Sequence, residues 1–364
     1  MITTTGRYVS RTLLSHLAMT FIGFAALLQI FDLLNSADDV IQRHGNWSAV
    51  ARYALLRLPE LAAFILPFAM LIATLLMLAK LARNNEIMAL KSSGLSFYRL
   101  LLSLLPVTLL IGLVHFLVSD QVVPRTAQAL QEWDAAADGG QATQTSQVRS
   151  GEGPGVWVRD GNTFIHLDAI VAEGTELHGV TIFERAGNVL SQRLLAKRAV
   201  FDGAGWRLFD VQVLSFAEGE DRRPRQLTEM PWETSLTPGH LADLAADPAK
   251  LSLGEVWRFV ASPDVGSRPV DFYKTWLLRK IAIPFVTLMM VLLAAPVAQG
   301  MQRHGGLGTG LAVGVGIGFL YFVADGLLLA LGEIGTIPPV VAAWSPTVLF
   351  GAVGVSVLLK IEGY

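Results

Sequence analysis

Cysteine is absent from the 364 residues, which excludes a disulfide framework and a thiolate metal site. That absence does not choose a compartment, because an extracytoplasmic domain can hold together through an ordinary core. Charge is also scarce. Asp, Glu, Lys and Arg make up 16% of the chain, against about 25% in soluble domains, and a formal charge of -2 excludes a generally basic nucleic-acid binder. The chain nowhere contains G-x-x-x-x-G-K-[ST], so any ATP-driven step needs a nucleotide site on another polypeptide. Its seven histidines are dispersed without H-E-x-x-H or other ligand spacing, and metal catalysis has no support. What is abundant is apolar: 52% of residues are hydrophobic and the mean hydropathy is +0.48.

This composition predicts a membrane protein. Residues 12–34, 61–81, 100–119, 276–298 and 307–331 read as five spans, with 344–359 a rather short sixth, measured against the roughly 20 residues a helix needs to cross a bilayer. The first is read as a retained span, since no small-residue cleavage pattern follows a short apolar core. Residues 35–60 are amphipathic and of mixed charge, with Trp47 as an interfacial anchor. Arg7, Arg11, Lys80, Arg83, Lys91, Arg99, Arg303 and Lys360 fall on one side of six alternating spans. The positive-inside rule then places both termini in the cytoplasm and the insertion after the third span outside.

From 121 to about 268 the composition becomes that of a soluble, all-β domain. Strands are expected at 155–159, 163–170, 177–184, 189–201, 206–216 and 225–233, with Asp160-Gly161 and Asp202-Gly203 as hairpin turns. Alternation slips by one residue between Val211 and Phe216, which predicts a bulge. Short helices follow at 237–244 and 252–260. In the second, Ser252 and Glu255 have capping-box spacing, and Leu253, Val256, Trp257 and Val260 share a face. Trp157, Trp206 and Trp232 read as core or rim aromatics, or as the lining of a lipid groove. The layout is 1–120, 121–270 and 271–364.

Between the second and third spans lies a polar elbow, read as a helix from 84 to 92 with Ile87, Leu90 and Lys91 on one side and Met88 beside them. Glu86 suits the positive end of its dipole, and Gly94 suits the reversal after its last turn. Two readings fit: a helix that covers headgroups, or one that docks into a partner. In the fifth span Gly310, Gly314 and Gly318 form a flat ridge for close helix approach. They are no nucleotide fingerprint, because Val313 replaces the third glycine after Gly308-Thr-Gly310 and no strand precedes them. Asp325, costly within a span, points to pairing with Arg279 or Lys280 at similar depth, in a structural or a functional role. An intramembrane aspartyl protease would need a second buried aspartate, and Asp32 sits at a span boundary.

Leu81-Ala-Arg-Asn-Asn-Glu86 with Ser93-Gly94, Gly155-Val-Trp157-Val-Arg-Asp160-Gly-Asn162-Thr-Phe164, Phe201-Asp202 with Trp206-Arg207-Leu208, and Gly335-Thr-Ile-Pro338-Pro339 resemble the lipopolysaccharide-export permeases, the LptF/LptG family, and favour its G-type branch. The resemblance covers nearly the whole chain. It implies six transmembrane helices with a periplasmic β-jellyroll inserted after the third, in the inner membrane. It also implies partners: an LptF-type paralogue, two copies of a cytoplasmic LptB-type ATPase that binds the ATP, a single-span LptC-type jellyroll protein and an LptA-type periplasmic bridge. The implied cargo is lipopolysaccharide, and no cofactor is implied on this chain.

By the same resemblance Glu86 meets the ATPase, within a coupling elbow at 84–96 that includes Arg83, Asn84, Lys91 and Gly94. The first and fifth spans are expected to form lateral gates with the paralogue. Candidate gate or substrate residues are Gln29, Asp32, Arg57, Arg279, Gly310, Gly314, Gly318 and Asp325. Where some relatives carry lysines, this chain has Gln29, Asn35, Ser36 and Glu60, and Arg43, Arg52, Arg57 and Arg279 are the positional substitutes for meeting lipid phosphates. A rival class is a membrane-anchored sensor whose β domain binds a periplasmic ligand. It would need no docked elbow.

Overall fold

The computed structural model describes residues 4–92, 96–137, 156–171, 174–186, 189–203, 205–216, 224–239, 241, 248–261, 265–266, 268–304 and 307–362. The chain divides into two compact units, Met1–Ala127 with Thr275–Tyr364, and Gln128–Lys274. In chain order come α1 (Thr4–His44), α2 (Trp47–Arg83), α3 (Glu86–Ser92), α4 (Phe97–Leu117) and, through a π-helical turn at Val118–Val122, α5 (Val123–Ala137). The sheet unit holds β1 (Val156–Asp160), β2 (Thr163–Val171), β3 (Glu176–Ala186), β4 (Val189–Phe201), β5 (Trp206–Ser215), β6 (Arg225–Trp232), α6 (Leu253–Ala261) and β7 (Val265–Gly266). The long α7 (Val270–His304), α8 (Leu307–Glu333) and α9 (Pro339–Glu362) follow.

Among the described residues six stretches are long and apolar enough to cross a membrane: Thr5–His44, Trp47–Arg83, Phe97–Asp134, Val270–Gln299, Gly308–Glu333 and Pro339–Lys360. Several exceed the apolar runs that announce them. With 41 residues, α1 is about 62 Å long, twice the roughly 30 Å of a hydrocarbon core. The mixed-charge stretch 35–60 is therefore helical extension of α1 and α2, broken only at Gly45 and Asn46. Gly45 takes φ 75° and donates its N–H to Ile41 O at 2.8 Å, while the Asn46 side chain accepts from Ala49 N at 2.9 Å. One residue ends a helix and the next caps another. The sixth span is not short: proline is favoured in the first helical position, and Pro339 starts α9 five residues before Trp344.

Between membrane helices there is no hydrophobic gain in exchanging lipid for leucine, so packing and polar contacts hold the bundle. Met70, Leu71, Leu75 and Leu78 of α2 are fully buried, in one cluster with Leu13 of α1, Leu104 of α4 and Met290 and Ala294 of α7. At Gly112 an added Cβ would lie 2.9 Å from the Pro284 carbonyl oxygen, so α4 and α7 approach backbone to backbone there. His115, one turn further on, fills a polar defect. Pro67 has no N–H to bond the Ala63 carbonyl four residues back, and the buried His115 imidazole hydrogen-bonds that carbonyl while its Nδ1 lies 3.3 Å from Thr287 Oγ1. One side chain thus answers the proline of α2 and ties that helix to α4 and α7.

The strands form a single antiparallel sheet in the order β6-β5-β4-β3-β2-β1-β7, not closed into a barrel. Consecutive strands pair because short turns join them. Asp160 faces Thr163 across a two-residue turn with Gly161 at φ 58°, and Gly205 N bonds Asp202 Oδ1 at 2.9 Å in the turn after β4. The sheet is strongly curled. Thr234 Oγ1 and Ser235 N, just after β6, donate to Asp160 Oδ2 of β1 at 2.5 and 3.0 Å, though four strands separate β6 from β1. Trp206 Nε1 donates to Leu236 O at 2.8 Å, and Leu236 and Leu241 join the core inside the curl. Trp206 and Trp232 are core, whereas Trp157 is 48% exposed.

The sheet bends along one line. Buried positions run Ile165, Leu167, Ile170 in β2; Leu177, Val180, Ile182 in β3; Leu194, Ala196, Ala199 in β4; and Trp206, Leu208, Val211 in β5. Each series contains a step of two and a step of three, and the extra residues Asp168, Gly179, Lys197 and Asp210 lie side by side, skipped by the ladder. Gly179 and Asp210 hold φ 61° and 53°, which turns the face over without changing the register beyond. The slip expected between Val211 and Phe216 therefore sits earlier, at Asp210, and belongs to a crease through five strands, reaching Thr228 of β6. Among the described residues, the ladder register shifts elsewhere, between Glu184 and Arg185.

In α6 the capping box forms, with Ser252 N donating to Glu255 Oε2 at 2.6 Å and Glu255 N to Ser252 Oγ at 3.3 Å. Its buried residues are Val256 and Phe259, and Trp257 is 58% exposed, because Phe259 stacks on Tyr273 at 4.5 Å and turns the helix toward it. The helix expected at 237–244 lies largely outside the described residues.

Candidate functional site

The elbow is built by an unusual backbone. α2 ends on Arg83; Asn84 N bonds Lys80 O at 3.1 Å, and Asn85 takes φ 57°, the left-handed region that asparagine tolerates better than most residues. The helical stretch expected from 84 accordingly begins at Glu86. Glu86 Oε1 accepts from Asn84 Nδ2 at 3.1 Å and from the Tyr8 hydroxyl of α1 at 3.3 Å. Ile87 anchors α3 in the core with Leu81, Val9 and Leu13, Leu90 packs against it, and Met88 is 70% exposed beside exposed Arg83 and Asn84. Lys91 lies in α3, and Gly94 lies outside the described residues. The result is a short helix locked on one side, presenting a carboxylate and a methionine on the other.

At the far end of the α1–α2 hairpin, Arg57 pairs with Asp32 at 3.4 Å and with Glu60. Tyr53 donates to Ser36 Oγ at 3.2 Å. Gln29 stands one turn from Asp32; both of its amide atoms, and Asp32 Oδ2, are buried without a partner among the described residues. Arg57 is thus already committed to carboxylates, which weakens it as a free phosphate ligand.

Gly310, Gly314 and Gly318 form one buried line on α8. The neighbour of Gly314 and Gly318 is α2 of the same chain: a Cβ at Gly314 would lie 2.2 Å from Leu75 Cδ1, and one at Gly318 would lie 2.8 Å from Leu71 Cδ2. The opposite face of α8, with Val313, Phe319, Leu320, Val323 and Leu327, is uncovered, as are Met19, Ile22, Ile30, Phe31 and Leu34 of α1. Asp325 pairs with Arg279 of α7 at 2.6 Å, with side chains 11% and 31% exposed. Trp276 Nε1 donates to Glu333 at 2.9 Å nearby, and the Arg279 guanidinium lies 5.8 Å from the Trp276 ring. Gln29, Asp32 and Arg57 belong to one cluster, Arg279 and Asp325 to another.

Tyr8 and His115 were not legible as functional or structural keys in the sequence. A proline four residues after Ala63 does signal an orphaned carbonyl, but nothing local names the residue that meets it.

The fold and these clusters define a multi-pass membrane protein with an inserted sheet unit; among the described residues no group of three His, Cys, Asp or Glu side chains could hold a metal ion. The family of the lipopolysaccharide export system permeases LptF/LptG matches residues 7–360, and the chain belongs to that family. It is 25% identical over 358 residues to the lipopolysaccharide export system permease protein LptG of Escherichia coli strain K12, covering 97% of each chain. The LptG of Haemophilus influenzae is 26% identical over 357 residues, 96% of each.

Proposed function

We propose that this chain is the G-type, non-catalytic permease subunit of an ATP-binding-cassette exporter that takes lipopolysaccharide from the inner membrane and passes it to a periplasmic bridge. Membership of the permease family over 7–360 supports the cargo. The elbow carries the reading: Glu86 in the first turn of α3, beside exposed Met88 and backed by buried Ile87, is a docking surface fixed to the bundle. A cytoplasmic LptB-type ATPase, in two copies, would meet it through Arg83, Asn84, Glu86, Lys91 and Gly94, with ATP bound on those partners. The uncovered faces of α1 and α8 would meet an LptF-type paralogue and open toward lipid, with Gly310, Gly314 and Gly318 holding α8 to α2. The sheet unit would hand the lipid on, beside an LptC-type protein and an LptA-type bridge in the periplasm.

A well-formed charge-assisted hydrogen bond from an ATPase cation to Glu86 contributes roughly 1.5 to 3 kcal/mol. Glu86→Ala in the reconstituted complex is therefore expected to reduce bound ATPase or to leave hydrolysis running without lipopolysaccharide release. Wild-type ATPase content, turnover and release together would reject the coupling role.

A further inference from the structure

The crease divides the outer face of the sheet into two halves with different charge chemistry. On the half containing β6's C-terminal end, arginines are neutralised: Arg207 holds Asp202 at 2.8 Å and Glu229 at 2.9 Å, and Arg198 lies 3.6 Å from Glu176. On the other half the cross-strand rows are Trp157, His166, Thr181, Leu195 and Arg159, Phe164, Phe183, Arg193. They point away from the core because the row between them, Val158, Ile165, Ile182, Leu194, is buried. Neither row contains a carboxylate. Asp168, on the crease beside them, lies 3.4 Å from His166.

Here the guanidiniums lie on rings. Those of Arg159 and Arg185 are 6.0 and 5.7 Å from the centre of Phe164, and that of Arg193 is 5.5 Å from the centre of Phe183. Trp157 stacks on Phe183 at 5.8 Å and 24° while remaining 48% exposed. Among the described residues no carboxylate pairs with Arg159 or Arg193. Arg159 spends its Nε on Gly161 O at 2.9 Å, and Arg193 Nε is buried with no acceptor. Guanidinium forks held over aromatic faces match phosphate oxygens, and a half-exposed indole is a flat apolar platform. An anion alone would use the forks but not the platform.

We propose that this patch binds a phosphorylated saccharide, its phosphate between Arg159 and Arg193 and a sugar face on Trp157. The site deepens the export reading above and rests on it: it would hold the anionic sugar region of the cargo on the outside of the curled sheet.

The test uses the full chain in uncharged detergent, titrated calorimetrically with deacylated lipopolysaccharide that keeps its phosphates, with the same saccharide after phosphatase treatment, and with inorganic phosphate. The phosphorylated saccharide is expected to bind at least about tenfold tighter than the dephosphorylated one, and Arg193→Gln or the exposed Arg159→Gln to cost about tenfold. Trp157→Ala is expected to weaken it too, with Arg207→Gln unchanged. Equal affinity for the two saccharides, or indifference to Arg159→Gln, overturns the site. Competition by inorganic phosphate at equal strength reduces it to a plain anion patch and overturns the saccharide assignment. Because the probe lacks acyl chains and the assay lacks nucleotide, lost export with intact probe binding would reject the export reading alone, and intact export without probe binding would reject this site alone.

Discussion

Arg279 in the helical unit and Arg207 in the sheet unit both hold carboxylates, but under opposite conditions. Arg279 meets Asp325 at 2.6 Å with the carboxylate side chain only 11% exposed, whereas Arg207 is 54% exposed between Asp202 and Glu229. In the bundle a charge without a partner has no water to fall back on, and the charged groups here are held in pairs: Asp325 with Arg279, Asp32 and Glu60 with Arg57, while the Ala63 carbonyl meets His115. On the sheet the solvent competes, pairs are optional, and arginines can stay available, as Arg159 and Arg193 do. The difference makes charge in the bundle structural by default and charge on the sheet free for recognition.

The sharpest break of that contrast is Arg279→Ala, which leaves Asp325 uncompensated and is expected to cost about 3 to 5 kcal/mol, the usual penalty for removing one partner of a buried pair. Unfolding in detergent measures it, and adding Asp325→Asn should recover much of the loss; an unchanged midpoint in the single variant would mean that water reaches the pair. Gly314→Leu comes next. Even a Cβ would stand 2.2 Å from Leu75 Cδ1, and overpacking of this kind costs roughly 1 to 3 kcal/mol. Leu75→Ala in the same chain should relieve it, and a double-mutant cycle without coupling would contradict the α2–α8 packing. His115→Leu strands the Ala63 carbonyl and is expected to cost about 1 to 3 kcal/mol, while His115→Gln, which keeps a donor, should cost less; equal losses would assign the effect to volume. Arg207→Gln is the smallest. It should leave the thermal midpoint of the chain where it was, and a clear drop would show that the exposed pairs matter as much as the buried one.

Much of this molecule could be read along the chain. Hydropathy located six spans because crossing a bilayer demands a long local run, and Asp160-Gly161 and Asp202-Gly203 marked two hairpins because their turns demand particular residues. The capping box of α6 was visible as Ser252 and Glu255 for the same local reason. Reading failed where something other than the local apolar pattern decides. Trp257 points outward because Phe259 has Tyr273 to stack on, and the elbow helix starts at Glu86 rather than at 84 because Asn85 adopts the left-handed turn that reverses the chain.

By itself, then, the sequence determined the number of spans, the six long strands, though not the two-residue β7, and the place of the elbow, since each depends on the periodicity or backbone preference of a few consecutive residues. Only the tertiary structure decided that the glycine ridge of α8 is filled by Leu71 and Leu75, that His115 answers Pro67 across two helices, and that Asp168, Gly179, Lys197 and Asp210 align into one crease. Those are pairings between residues tens to hundreds of positions apart, and a close contact or an orphaned hydrogen bond acquires its partner only when the chain has folded.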